Sequence, residues 1–97
     1  MKLNILGSAK DDLIEGYYFY EQQQRGIGHY FLESLYLDIQ DLISTAGIHP
    51  IVFNHFHRKL SNKFPFAIYY QTDQQEINVY AVLDCRKKPT WIRSKLK

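Results

Sequence analysis

One cysteine, Cys85, is all the chain contains, so no disulfide can form within it. A reducing cytoplasm is the compartment that this favours. Long apolar runs are missing too. None approaches the roughly 20 residues a membrane span needs, so no membrane association is expected. The short opening run Leu3 to Leu6 is too brief for a signal-peptide core. There is no glycine-rich phosphate loop, and neither Ser8 nor Ser61 has an elbow motif around it. Metal ligands are also short in number. His55-x-His57 offers two imidazoles on one strand face, whereas zinc needs three or four ligands. His49, Asp84 and Cys85 stand at no spacing that joins them to the pair. No metal and no cofactor are expected, and the pair reads as a partly exposed strand face. Cys85 precedes Arg86, Lys87 and Lys88, cations that would lower a thiol pKa. No base stands near it, so it reads as structural rather than nucleophilic.

What is present is a folded domain's composition. Apolar residues make up 45% and aromatics 15%, which excludes a disordered chain. The 97 residues fit one domain spanning 1–97. A chain of this size buries roughly 60–68% of its unfolded surface, enough for one core. The net charge of +2 hides an asymmetry. Residues 1–57 hold three Lys/Arg against seven Asp/Glu, a net −4, and residues 58–97 hold nine against three, a net +6. The C-terminal part therefore has a positive field suited to nucleic acid or an acidic protein.

Alternation over Lys2–Leu6 predicts a short strand. Ser8 and Asp11 form a weak capping box for a helix over about Ala9–Gln24. Ala9, Leu13, Tyr17 and Tyr20 make its inner stripe, and Gly16 beside it admits a close neighbour. Arg25-Gly-Ile-Gly is a turn. A second helix follows over about Gly28–Ala46, with Phe31, Leu35, Ile39, Leu42 and Ala46 inward. Leu32, Tyr36 and Ile43 widen that face, and Glu33, Asp38 and Asp41 lie away from it. The acidic residues of both helices read as solvent-facing.

From Ile51 the period becomes two. Strands are expected over Val52–Leu60, Phe64–Gln71 and Glu76–Asp84, the last two paired across Asp73-Gln74-Gln75. In the last strand Ile77, Val79, Ala81 and Leu83 should face one way. Pro65 belongs at a strand start or bulge. Trp91–Lys97 reads as a short C-terminal helix. The fold class is α+β, ordered β-α-α-β-β-β, a helix hairpin packed on a small, mainly antiparallel sheet.

Two features carry function. Arg58, Lys59, Lys63, Arg86, Lys87 and Lys88 cluster at the ends of neighbouring strands. They could hold phosphates while Trp91, Tyr80 or Tyr70 stacks on bases, or they could simply solvate strand ends. The run Tyr17-Tyr18-Phe19-Tyr20 covers every side of a helix, so some of its rings await a partner.

The ordered segments A-K-D-D-L-I-E-G-Y-Y-F-Y, G-I-G-H-Y-F-L-E-S-L, R-K-L, F-P-F-A-I-Y-Y and I-N-V-Y-A-V-L-D-C-R-K-K-P-T-W span nearly the whole chain. As a set they resemble the RelE/ParE superfamily, the toxins of bacterial type II toxin–antitoxin pairs. The resemblance implies a cytoplasmic toxin that an antitoxin wraps and neutralises in a hetero-oligomer, with Ile14, Tyr18 and Phe19 as antitoxin contacts. RelE-like members cut mRNA on the ribosome without a metal, and ParE-like members poison DNA gyrase. Arg86 matches a catalytic arginine of the first branch. The arginine expected within the third strand falls at Ala67. No late tyrosine is present, since Trp91 and Ile92 occupy its place and an indole cannot act as acid or base. F-P-F-A-I-Y-Y and C-R-K-K-P-T-W are closer to the ParE-like, plasmid-stabilisation branch. The expectation is a gyrase inhibitor acting by binding, with Arg58, Lys59, Lys63, Arg86, Lys87, Lys88 and Trp91 at its target or nucleic-acid surface. A ribosome-dependent ribonuclease using Arg86 with Arg58, Lys59 and Lys63 is the alternative. A non-toxic member that only binds antitoxin is a third reading.

Overall fold

The computed structural model describes residues 1–97. The elements run β1 (Lys2–Ile5), α1 (Gly7–Gln23), α2 (Ile27–Gln40), α3 (Leu42–Thr45), β2 (Ile51–Val52), β3 (Phe56–Leu60), β4 (Phe66–Asp73), β5 (Glu76–Asp84) and α4 (Pro89–Lys95). One five-stranded sheet has the order β1-β5-β4-β3-β2. β1 lies parallel to β5, and the other pairs are antiparallel. The helix hairpin α1–α2 covers one face and α4 part of the other. Each face has its own core. Ala9, Leu13, Phe31, Leu35, Ile68 and Tyr70 belong to the core under the hairpin. Phe56, Ala67, Tyr69, Ala81, Leu83 and Ile92 form the second. No helix is long and apolar enough to cross a membrane.

The hairpin is drawn tight by missing side chains. A Cβ on Gly16 would stand 2.5 Å from Phe31 Cζ, and one on Gly28 would stand 2.6 Å from the Tyr17 carbonyl oxygen. The Phe31 ring cannot withdraw, because Tyr20, Phe64 and Phe66 pack around it with centroids 4.9–5.2 Å away. Gly16→Ala is therefore expected to cost about 1–2 kcal/mol, the overpacking strain exceeding the gain in helix propensity. Chemical denaturation checks this. An unchanged midpoint would mean the ring moves freely.

Several expectations need correction. The strand over Val52–Leu60 is broken by a turn at residues 53–55, which folds it into the β2–β3 hairpin; His55 N–H bonds to the Val52 carbonyl at 3.2 Å. The β4 strand starts at Phe66 rather than Phe64. The second helix breaks at Asp41, and Tyr36 and Ile43 are exposed rather than inward. In β5 the even alternation fails at a bulge. Tyr69 faces Ala81 while Tyr70 faces Val79, which leaves Tyr80 as an extra residue. Ile77, Val79 and Val82 thus face the hairpin, and Ala81 and Leu83 face the second core.

The Ser8–Asp11 capping box does not form, because this first turn has another task. β1 ends at Ile5 while β5 continues to Asp84, so the second half of β5 has a bare edge. Ser8 Oγ donates to the Tyr80 carbonyl at 2.6 Å, and Asp12 Oδ2 accepts the Val82 N–H at 3.0 Å. α1 caps the sheet edge instead of its own N-terminus.

Candidate functional site

The structure separates the cations that the sequence groups. Arg58, opposite Tyr69 in the register, is exposed on the α4 side of the sheet. Lys59 points the other way and is buried under α2. Its Nζ donates to the Asp38 carbonyl at 2.6 Å and to Asp41 Oδ2 at 3.0 Å, which holds the Asp41 carboxyl below its ordinary range. Its ammonium is therefore spent inside the fold, contrary to its expected place on a binding surface. Arg86 is clamped by its neighbour: Nε donates to Asp84 Oδ1 at 2.9 Å and Nη2 to Asp84 Oδ2 at 2.7 Å. The pair raises the guanidinium and lowers the carboxyl relative to their ordinary values. The Tyr20 hydroxyl also faces this guanidinium, from the hairpin side of the sheet. Lys63 lies over the Tyr30 ring and Lys87 over the Trp91 ring, at 5.5 and 5.4 Å. Lys88 is exposed at the start of α4. Lys59 is thus separated from Arg58 and Arg86, which share only the neighbourhood of the Cys85 thiol.

The histidines do not share a strand face. His55 is in the turn and exposed, whereas His57 stacks on the Tyr70 ring and donates Nδ1–H to the His49 carbonyl at 2.7 Å. The Tyr70 hydroxyl meets His49 Nδ1 and accepts the Gly47 N–H at 3.0 Å. Burial holds His49 below its ordinary value, helped by the Lys59 and His57 charges. No three metal-ligating side chains converge. Cys85 is exposed, and partial burial of its thiol pushes the pKa up against the pull of Arg58 and Arg86, the reverse of the direction that its basic neighbours suggest.

The exposed rings of α1 fall on two sides. Ile14 and Tyr18 are 53% and 60% exposed and, at a spacing of four, share the outer face of the helix. Tyr36 in α2 and Ile43 in α3 are also exposed, at 42% and 53%. Phe19, 49% exposed, lies across α1 from them. It lines a groove of about 210 Å³ between α1, the free edge of β5 and α4, together with Asp12, Gly16, Lys87, Trp91 and Lys95.

Asp12 is a polar residue that sequence reasoning missed, and Asp38, expected to lie away from the inner face of the second helix, is buried. Helical spacing held the signal: Asp12 follows Ala9 by three and precedes Gly16 by four, and Asp38 lies between the inward Leu35 and Leu42. Burial pushes the Asp12 carboxyl up from 3.8 to about 6, outweighing the Val82 N–H and the Lys95 charge that favour ionisation. The folded chain therefore retains a proton that the unfolded chain has released. Stability should fall as pH rises from 3.8 to about 6 and stay lower above it. Asp12→Asn is expected to remove that slope and raise stability at neutral pH by about 1 kcal/mol, allowing for solvent screening of its exposed part. Thermal midpoints across pH test this; an identical slope in the variant would assign it to another group.

No protein-family model and no curated protein matches the chain. Seven chains of solved structures match. One belongs to the chromosomal ParDE TA system from P. aeruginosa, with a TM-score of 0.76 and 15% identity over 84% of this chain and 92% of that one. At that identity the likeness is one of fold. The shared fold agrees with the ParE-like architecture that the sequence resemblance implies.

Proposed function

We propose that the chain is the toxin of a type II toxin–antitoxin pair, ParE-like in action, which inhibits DNA gyrase by binding it and is neutralised by a cognate antitoxin. The observation that carries this reading over ribonuclease chemistry is the state of the cations. A phosphoryl-transfer site needs preorganised donors aimed at one developing charge. Here Arg86 is neutralised by Asp84, Lys59 is consumed by Asp38 and Asp41, and Arg58 stands on the other side of the sheet. Ala67 and Trp91 supply neither the arginine nor the tyrosine that the ribonuclease branch would use. Of the proton-transfer groups around Arg86, the Asp84 carboxylate is held below its ordinary value by the guanidinium itself, and burial pushes the Cys85 thiol and the Tyr20 hydroxyl above theirs.

Binding needs no such convergence. Lys63, Lys87, Lys88, Arg58 and Trp91 remain at the surface for an acidic target, and Ile14 and Tyr18 offer an apolar face to an antitoxin segment. Phe19 belongs with Trp91 in the groove and would meet a different part of the antitoxin.

Expression of the chain alone in a bacterial host should stop growth and relax reporter-plasmid DNA, and co-expression of the small gene beside its own should restore both. Normal growth with fully supercoiled plasmid would reject the toxin reading and favour a member that only binds antitoxin.

A further inference from the structure

The larger of the molecule's two principal grooves lies far from Arg86, between the β2–β3 turn and the end of α4. It measures about 720 Å³ and is lined by residues that include Phe53, Asn54, His55, Gln71, Arg93 and Lys97. No aspartate or glutamate side chain lines it. It touches Gln71, near the end of β4 at Asp73, whereas Arg86 follows Asp84, which pairs with the start of β4 at Phe66.

The turn itself is costly. Phe53 and Asn54 both adopt left-handed backbone, with φ of 53° and 67°. Asparagine tolerates that region, but a bulky residue rarely enters it, and glycine would satisfy the turn without strain. A phenylalanine kept where glycine folds better marks a local conflict of the kind retained for function. The strain delivers the half-exposed ring into the groove, with the Arg93 guanidinium 5.1 Å from its centroid. Gln71 Nε2 braces the turn by donating to the His55 carbonyl at 3.1 Å.

An aromatic platform, adjoining cations, free amide and imidazole groups and an absence of acidic side chains is the chemistry that holds unpaired bases and their phosphates. We propose that this groove binds a single-stranded stretch of nucleic acid, with Phe53 stacking on a base and Arg93 and Lys97 holding the neighbouring phosphates. A base stacking on the ring would displace the exposed Arg93 guanidinium from its face onto the neighbouring phosphate. A duplex offers no unpaired base to the platform, and an acidic peptide offers no stacking partner. The site is independent of any action on gyrase and is measured without it.

The experiment titrates the full chain against fluorescently labelled single strands of about 10 nucleotides at low salt, by anisotropy. A matching duplex and a polyglutamate peptide serve as competitors. Saturable binding of a DNA or RNA strand is expected, and the ratio of the two affinities identifies the source. Phe53→Gly should weaken binding about tenfold, since stacking is lost, while the thermal midpoint changes little, relief of turn strain offsetting the ring's lost packing on the second core. Arg93→Ala with Lys97→Ala should lower the salt slope by about 1.4, two phosphate contacts' worth. Wild-type affinity in Phe53→Gly would overturn the proposal, as would an unchanged slope in the double variant. Equal competition by duplex or polyglutamate would also overturn it, by reducing the groove to generic charge attraction.

Discussion

Asp38→Ala is expected to lower stability by about 3 kcal/mol, the upper end for loss of hydrogen bonds to a charged group. The side chain is only 4% exposed and organises a whole loop. Its carboxylate accepts from Ser61 Oγ at 2.7 Å, from Asn62 Nδ2 at 2.8 Å and from Asn62 N–H at 3.3 Å. Its backbone carbonyl takes the buried Lys59 ammonium. Alanine would keep the backbone carbonyl that holds Lys59 but leave the Ser61–Asn62 turn without an anchor. Ser61 and Asn62 are not fully buried and can recover water, which keeps the loss below that of a wholly buried charge network. Amide exchange should rise first over residues 61–64, and Asp38→Asn, which keeps shape and one acceptor, should cost roughly half as much. Equal stability of all three forms would mean the loop is held by its backbone alone.

The largest expected effect on binding is that of Ile14→Glu with Tyr18→Glu. Neither residue is needed by the fold, since each is more than half exposed, so stability should change by less than about 0.5 kcal/mol per site. Buried in an antitoxin interface, each would act as an anchor whose replacement by a charge costs at least about 2 kcal/mol. Together they should weaken the antitoxin about 1,000-fold, and growth arrest should persist when both genes are expressed. Phe19→Glu alone tests the groove side of the same helix. Full neutralisation of the double variant would remove the outer face of α1 from the interface.

The sequence made the layers of this fold legible and left its connections hidden. Glu76–Asp84 reads as a strand from its alternation, and the helix hairpin reads from Phe31, Leu35 and Ile39 with glycines at the turn, because these signals are local. The bulge at Tyr80 could not be seen, since β5 is apolar on both faces and a one-residue slip leaves no trace in its pattern. The turn at Phe53-Asn54-His55 contains no glycine or proline, so its one signal of a reversal was Asn54, a residue that tolerates left-handed backbone, inside what looked like one strand. The cations were misgrouped for a related reason. Lys59 buries its stem and turns its ammonium under α2, and Arg86 folds back on Asp84. Both outcomes depend on partners many residues away or on chain direction after a strand. Asp12 and Asp38 were misread because carboxylates on an inward stripe look like errors in a helical pattern until the donors that hold them are known.

The decisive measurement adds purified chain to DNA gyrase and, in parallel, to ribosomes carrying mRNA, with Arg86→Ala alongside. The Arg86–Asp84 pair is largely exposed on the arginine side, so its removal should barely alter the fold. Dose-dependent loss of supercoiling in both proteins, with intact mRNA, is the result expected of a toxin that acts by binding. Cleaved mRNA with the wild type, abolished by Arg86→Ala, and unimpaired gyrase at saturating protein would contradict it.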